Sequence, residues 1–324
     1  MSITTYNKKK KPKTSTCFIC GRSFDAGYDG IIAEGARYGI RFCQTCGLGK
    51  TDPFLTEEEF KKIYSSTYRE EDSTRFFSPL EKVIRLLRVH RCRSVERFGK
   101  KGRILDVGCG RGDFLLLMKE RGWEPTGLEL DERIERHGKK IGIDLRSGSL
   151  ETVRFPDSHF EAVTFWHVFE HLKNPEWALK ECRRILKPGG LFVISVPNIG
   201  SLQARLSGKH WFHLDPPFHL YHYSLENLNK LLDRASFKTL KVKHFSLEYN
   251  PYGYIQSIFN SIGFRPNLFY DFLRSKMTKK DSYASVAVMF LLMPVVLPLS
   301  LILSVTEAAL RAGGTIDLYA RKEG

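Results

Sequence analysis

Residues 103–115, RILDVGCGRGDFL, constrain this 324-residue chain more than any other stretch. A short apolar run ends in Asp106, a turn with glycines at 108, 110 and 112 follows, and a helical pattern then begins. The pattern predicts strand, loop and helix, the repeating unit of open α/β sheets. Glycines let the backbone turn tightly and come close to a ligand that a Cβ would push away. A dinucleotide-binding loop of the form GxGxxG would need glycine or alanine at 113, where this chain has Asp113. A pyrophosphate cofactor is therefore disfavoured. The Asp106 carboxylate beside the loop suits a ligand that carries an ammonium or sulfonium group.

Downstream pieces extend the pattern in order. WEPTGLELDERI predicts a second strand ending at Glu129, with Asp131 as the nearby alternative carboxylate, and RSGSLETVRFPDSHFEAVTFWHVFEHL contains a further apolar strand before His167. RILKPGGLFVISVPN reads as a turn and another strand ending near Asn198. KTLKVKHFSL and GTIDLYARK resemble the sixth and last strands of the family to which these ordered pieces point.

This series resembles the class I S-adenosylmethionine-dependent methyltransferases over roughly residues 80–250 and the last strand, and in particular bacterial members with an N-terminal zinc-ribbon-like module. Their first motif, (D/E)xGxGxG, is matched by Asp106, Gly108, Gly110 and Gly112. The resemblance implies a seven-stranded Rossmann-like sheet with helices on both faces. It also implies an S-adenosylmethionine site formed by Asp106, Gly108, Cys109, Gly110, Gly112, Glu129, Leu130, Ser149, Leu150 and His167. Glu129 would accept the ribose hydroxyls, while Ser149 and Leu150 would flank the adenine. Ser149 stands where the family usually has an acid, which removes a charged contact to the adenine amine.

Methyl transfer is an in-line displacement at a sulfonium carbon, so the protein must align the partners, exclude water and accept a proton from an oxygen or nitrogen nucleophile. Candidate bases belong at the carboxyl ends of the central strands, where open α/β sheets bind ligands. His167 follows the run AVTFW directly, and KHWFHLDPPFHLYHYS supplies His213 and His219. His167 is the first candidate base, His219 the second and His213 the third. HLDPPFHLYHYS further resembles a substrate-covering loop of bacterial methyltransferases, stiffened here by Pro216 and Pro217. A metal in the 210–222 histidine cluster is disfavoured, because no HxxxH-type spacing falls on one element.

Cys17 and Cys20 form one CxxC, Cys43 and Cys46 another, each followed by a glycine. Two such knuckles complete a tetrahedral thiolate site for structural Zn2+, and four sulfur ligands leave no open position for catalysis. Alternation between Ile31 and Phe42 predicts short strands between the knuckles. Such a ribbon more often docks on its neighbour and holds a lid than binds nucleic acid. Thr56 with Glu59 reads as a capping box opening a helix. Residues 79–98 place Val83, Leu86, Leu87, Val95 and Phe98 at helical spacing between arginines.

Fifty-one Lys and Arg against 36 Asp and Glu give a formal charge of +15, which favours anionic partners without choosing among them. The lysine-rich first residues lack a following apolar run and do not read as a secretory signal. Paired cysteines fit a reducing compartment. Between Asp281 and Glu307 no charged residue occurs, and YASVAVMFLLMPVVLPLSLILSV is long enough for a hydrocarbon core of about 30 Å. A single crossing conflicts with strands before and after it that share one sheet. The segment must turn back at Pro294 and Pro298, pair with the apolar stretch 254–272, or lie in the interface; a buried core or dimer helix is the competing reading.

The expected organisation is a basic arm (1–13), zinc ribbon (14–52), helical cap (53–100), methyltransferase core (101–248), apolar helical insertion (249–312) and final core strand (313–324). The expected function is methylation, at oxygen, of a lipid-linked, quinone-like or glycan-associated acceptor on the inner face of the cytoplasmic membrane. An RNA or protein methyltransferase that binds substrate through the ribbon is the alternative, and a non-catalytic binding protein the third reading. The absence of an NPPY-type motif or a base-stacking array counts against nucleobase chemistry.

Overall fold

The computed structural model describes residues 16–33, 35–55, 59, 78–274, 277–278 and 281–324. The basic arm, Thr56 of the predicted capping box and the side chain of Val83 lie outside the described residues. In chain order the elements are β1 (Phe24–Ala33), β2 (Ala36–Cys43), β3 (Gly49–Asp52), α1 (Ser78–Phe98), β4 (Arg103–Val107), α2 (Asp113–Glu120), β5 (Glu124–Glu129), α3 (Ile134–Ile141), β6 (Asp144–Ser147) and β7 (Phe160–Trp166). They continue with α4 (Pro175–Ile185), β8 (Leu186–Pro197), α5 (Leu202–Ser207), β9 (Tyr221–His222), α6 (Leu225–Arg234), β10 (Phe237–Lys243), α7 (Asn250–Ser261), α8 (Leu268–Leu273), α9 (Tyr283–Ala309) and β11 (Thr315–Lys322).

The main sheet has the order β10-β11-β8-β7-β4-β5-β6. Strands β4 to β8 pair in parallel, and β11 runs antiparallel to both β8 and β10. The central strands are apolar almost throughout because both faces are covered. Successive side chains point to opposite faces: Leu105, Val163 and Phe192 pack with Leu179 of α4 and Leu231 of α6, whereas Ile104, Ala162 and Leu191 pack with Val95 of α1 and Leu115 of α2. This is the doubly covered seven-stranded sheet that the sequence predicts.

A second sheet has the order β1-β2-β3-β9. Its first three strands come from the cysteine module, and the fourth comes from the histidine-rich loop after β8. The cysteine module thus shares a sheet, and part of one apolar core, with the main domain.

Helices α7, α8 and α9 form an arm inserted between β10 and β11. Helix α9 runs without interruption through Pro294 and Pro298 and packs on α7 and α8 through Val286, Met289, Val296, Ile255, Phe259 and Phe269. Of the arrangements considered, pairing with the preceding apolar helices is the one observed, and no reversal occurs at the prolines. The opposite face stays uncovered, with Leu291 at 79% and Val295 at 70% exposure. At the foot of the arm, Glu307 is fully buried and accepts hydrogen bonds from Asn250 Nδ2 (2.8 Å), Tyr254 Oη (2.9 Å) and the Gly314 N–H (2.9 Å).

Candidate active site

The glycine loop leaves the carboxyl end of β4. Gly108, Gly110 and Gly112 all take positive φ, a region that L side chains rarely adopt. Gly108 is additionally held by packing, since a Cβ there would lie 2.3 Å from Val168 Cγ2. At Gly110 a Cβ would meet nothing within 4 Å, so the loop offers open space at that point. Glu129, at the end of β5, accepts the Gly110 N–H at 3.0 Å on one oxygen and the Leu130 N–H at 2.8 Å on the other. Leu130 projects outward beside it, half exposed.

Asp106 is buried at the end of β4 opposite Thr164 of β7, whose hydroxyl donates to it at 2.6 Å. Burial pushes its carboxyl up to about 7, against the Thr164 hydrogen bond and the charge of Arg91. Such a carboxyl welcomes a cation, because positive charge offsets the desolvation that raises it. Ser149 sits in a turn after β6, where its N–H donates to Thr152 Oγ1 at 2.9 Å, and the Leu150 side chain is packed into the core. An open glycine cradle, a buried carboxyl at one side and a carboxylate at the end of β5 fit S-adenosylmethionine. Its binding here would present a sulfonium methyl to a nucleophile.

His167 immediately follows β7 in a left-handed conformation, φ 55°. For a non-glycine residue this is strained backbone of the kind that concentrates at functional sites. Its Nδ1 lies 3.5 Å from Glu170 Oε1, and its Nε2 lies 3.4 Å from Ser195 Oγ, which donates to Asp317 Oδ1 at 2.7 Å. Burial, reinforced by Arg91, lowers its pKa to about 4, so the imidazole is neutral at neutral pH. The Tyr249 ring lies 3.9 Å from the imidazole, centroid to centroid.

His213 and His219 come to the same region. His219 Nε2 is 3.9 Å from Glu170 Oε1, and its Nδ1 meets the His213 carbonyl at 2.8 Å. His213 is buried, and its Nε2 finds no hydrogen-bond partner. Burial lowers the pKa of both. His222 is drawn away from this group to Thr51 of the cysteine module, 3.1 Å from its Oγ1.

Several residues at the site have no local signature. Arg91 of α1 lies over the rings of Trp166 and Tyr249, 5.1 and 5.4 Å from their centroids, donates to the Tyr249 hydroxyl at 3.1 Å and pairs with Glu248. One sign was available: Leu87, Arg91 and Val95 are four residues apart, so this arginine falls on the apolar stripe of its helix. Ser195 and Asp317 carried no such sign.

At the cysteine module, Cys17 and Cys46 Sγ are 3.5 Å apart, Cys20 and Cys43 Sγ are 3.3 Å apart, and all four sulfurs lie within 4.8 Å of one another. A tetrahedron with Zn–S bonds of about 2.3 Å has sulfur–sulfur edges of about 3.8 Å. Four reduced thiols at nearly this spacing fit a structural zinc site held by Cys17, Cys20, Cys43 and Cys46. The Gly21 and Gly47 N–H groups return to the Cys17 and Cys43 carbonyls at 2.7 and 2.8 Å, closing the two knuckles.

Residues 80–242 match the family described as Methyltransferase domain. The chain belongs to this family. Its sheet order is that of the class I, S-adenosylmethionine-dependent branch. Curated relatives include a protein of Mycolicibacterium smegmatis named "Probable S-adenosylmethionine-dependent methyltransferase", 32% identical over 44% of this chain and 55% of that protein. Another is a ubiquinone biosynthesis O-methyltransferase of Idiomarina loihiensis, 35% identical over 44% of this chain and 60% of that protein. The methyltransferase chain thus matches little more than half the length of these relatives. Among solved structures, the [4+2]-cyclase SpnF aligns with a TM-score of 0.50 at 18% identity, over 83% of this chain and 97% of that one. This last likeness concerns the fold alone.

Proposed function

We propose that this methyltransferase transfers the methyl group of S-adenosylmethionine to an oxygen of a lipophilic, quinone-like or lipid-linked acceptor at the inner face of the cytoplasmic membrane. The observation that carries the reading is the apolar arm. The arm is inserted in the chain between β10 and β11, and β11 also supplies Asp317 behind His167. The apolar arm therefore returns to the sheet through the strand that supplies a residue behind His167. The names of several relatives, ubiquinone biosynthesis O-methyltransferases, support oxygen as the atom and a lipophilic acceptor.

In this reading Asp106 faces the cationic methionine portion, the 108–112 loop lies against the cofactor, Glu129 takes the ribose hydroxyls, and Leu130, Ser149 and Leu150 border the adenine. His167 is the first candidate to receive the acceptor proton, aligned by Ser195 and Asp317, with His219 and His213 behind it. Zinc at the four cysteines holds the ribbon. The domain limits at 14–52, 53–100, 101–248, 249–312 and 313–324 belong to the same proposal.

The test is transfer of labelled methyl from S-adenosylmethionine into organic-soluble material of bacterial membranes, for the wild type and His167→Ala. Label in the lipid extract that disappears with His167→Ala, while S-adenosylhomocysteine still binds, is the expected result. Label confined to RNA or protein would overturn the acceptor class, and unchanged turnover in the variant would remove His167 from the chemistry.

A further inference from the structure

Glu170 stands on a single helical turn after β7 and is 1% exposed. Neither of its carboxylate oxygens accepts a hydrogen bond from any described residue. Buried polar oxygens are rarely left without a partner, so both are open to a ligand. What faces the carboxylate is imidazole: His167 Nδ1 at 3.5 Å and His219 Nε2 at 3.9 Å, with His171 in the same cluster. His171 Nδ1 lies 2.8 Å from the Phe218 carbonyl, and His219 Nδ1 lies 2.8 Å from the His213 carbonyl. A carbonyl only accepts, so each Nδ1 carries the proton and each Nε2 keeps its lone pair. The His219 Nε2 lone pair lies 3.9 Å from Glu170 Oε1, and one ligand atom from each of Glu170, His171 and His219 lies within 4.8 Å of the others. Metal-bound histidines show this arrangement, with the remote ring N–H fixed to a carbonyl.

We propose that Glu170, His171 and His219 bind a divalent transition metal ion, distinct from the ion at the four cysteines. Two imidazoles and one carboxylate suit Zn2+, Mn2+ or Fe2+ and leave coordination positions for oxygen ligands. Asp215 offers a further carboxylate, with Oδ2 3.9 Å from His219 Nε2. The spacing argument from sequence disfavoured a metal in the histidine-rich loop taken alone. Folding supplies what the loop lacks, since Glu170 and His171 come from the β7 end and only His219 from the loop.

His167, 3.5 Å from Glu170, places this centre beside the proposed methyl-transfer site. One consequence rests on the oxygen-methylation reading: an acceptor hydroxyl bound to such an ion ionises more readily, its proton passing to water or to His167. The oxygen then forms the new C–O bond as the C–S bond of the sulfonium breaks.

Metal content decides the matter independently of turnover. The full chain is saturated with Co2+ or Zn2+, freed of excess ion, and assayed for metal per chain, with Co2+ spectra separating thiolate from nitrogen and oxygen ligation. Two ions per wild-type chain are expected, one of them without sulfur-to-metal charge transfer. Glu170→Gln and His219→Ala should each retain only the thiolate-bound ion, with affinity at the second site weakened beyond the roughly 10–100-fold that loss of a supporting residue produces. One ion per wild-type chain, or a second ion that survives both substitutions in folded protein, would overturn the proposal. If the variants fail to fold, the wild-type stoichiometry still decides. S-adenosylhomocysteine binding in the same samples separates the readings: two ions without such binding would sink the methyl-transfer proposal and leave the metal site standing, and binding with one ion would do the reverse.

Discussion

Thr51 of the cysteine module donates its hydroxyl to the carbonyl of His219, 2.5 Å away, and its N–H to the carbonyl of Leu220 at 3.0 Å. The module therefore holds the histidine-rich loop through a strand pairing of β3 with β9, while Asn227 Nδ2 reaches back to the Cys46 carbonyl at 2.5 Å.

Chelation of a metal ion held by the four cysteines, or Cys43→Ser, should accordingly loosen residues 218–223 before it disturbs the main sheet. Hydrogen exchange should rise at Leu220 and His222, and S-adenosylhomocysteine affinity should change less than threefold. A collapse of cofactor binding together with unchanged exchange in the loop would contradict this coupling.

Asp106 gives a pH dependence with a definite sign. Its carboxyl is raised to about 7 by burial, with Thr164 and Arg91 opposing and Glu129 adding to the rise. A raised carboxyl binds its proton more tightly in the folded state, so ionising Asp106 removes folding stability as pH climbs from the unfolded value of about 4 through about 7. A cationic ligand reverses part of that penalty. S-adenosylmethionine affinity should fall as pH drops below about 7, approaching tenfold per pH unit for one linked proton. Calorimetry in buffers of different ionisation enthalpy should detect proton release on binding, and Asp106→Asn should flatten the profile.

Glu129→Ala removes both the proposed ribose contact and the acceptor of the Gly110 N–H. We expect cofactor affinity to drop by about 100-fold, the equivalent of about 2.7 kcal/mol, in line with loss of a charged hydrogen-bonding partner. Gly108→Ala should act differently, through the clash with Val168 and the positive φ, lowering folding stability by roughly 1–3 kcal/mol. Urea unfolding of the two variants alongside cofactor titration distinguishes them.

The outward face of α9 should bind anionic vesicles through apolar contact. Leu291→Glu with Val295→Glu places two charges on exposed positions that touch little else, so the melting temperature should stay within a few degrees while vesicle co-sedimentation drops at least tenfold. Equal co-sedimentation of the double variant and the wild type would detach the arm from any role at a membrane.

The glycine loop and the cysteine knuckles were legible because each is a local pattern, and the seven-stranded sheet was legible through the family resemblance that the ordered pieces carry. The residues that surround His167 were not. Asp317 meets Ser195 across 122 positions of sequence, and Thr51 meets His219 across 168. No periodicity or spacing encodes such pairs, which exist only once the sheet order is fixed. Glu170 and His171 were visible as titratable residues after an apolar strand. Their pairing with His219 depends on a strand exchanged with the cysteine module, which sequence spacing does not reveal. The course of α9 through two prolines was equally hidden, since a proline-interrupted apolar segment can turn or continue according to what packs beside it.

β11 enters the sheet between β10 and β8, although α9 precedes it in the chain. During synthesis the ribosome must therefore release all 27 residues of α9 before the edge of β8 can be covered. Until then the nascent chain displays the open edge of a central strand and a bare greasy helix together. Whichever surface first shelters that helix, the α7–α8 arm or a nearby bilayer, does so ahead of the closing of the catalytic domain.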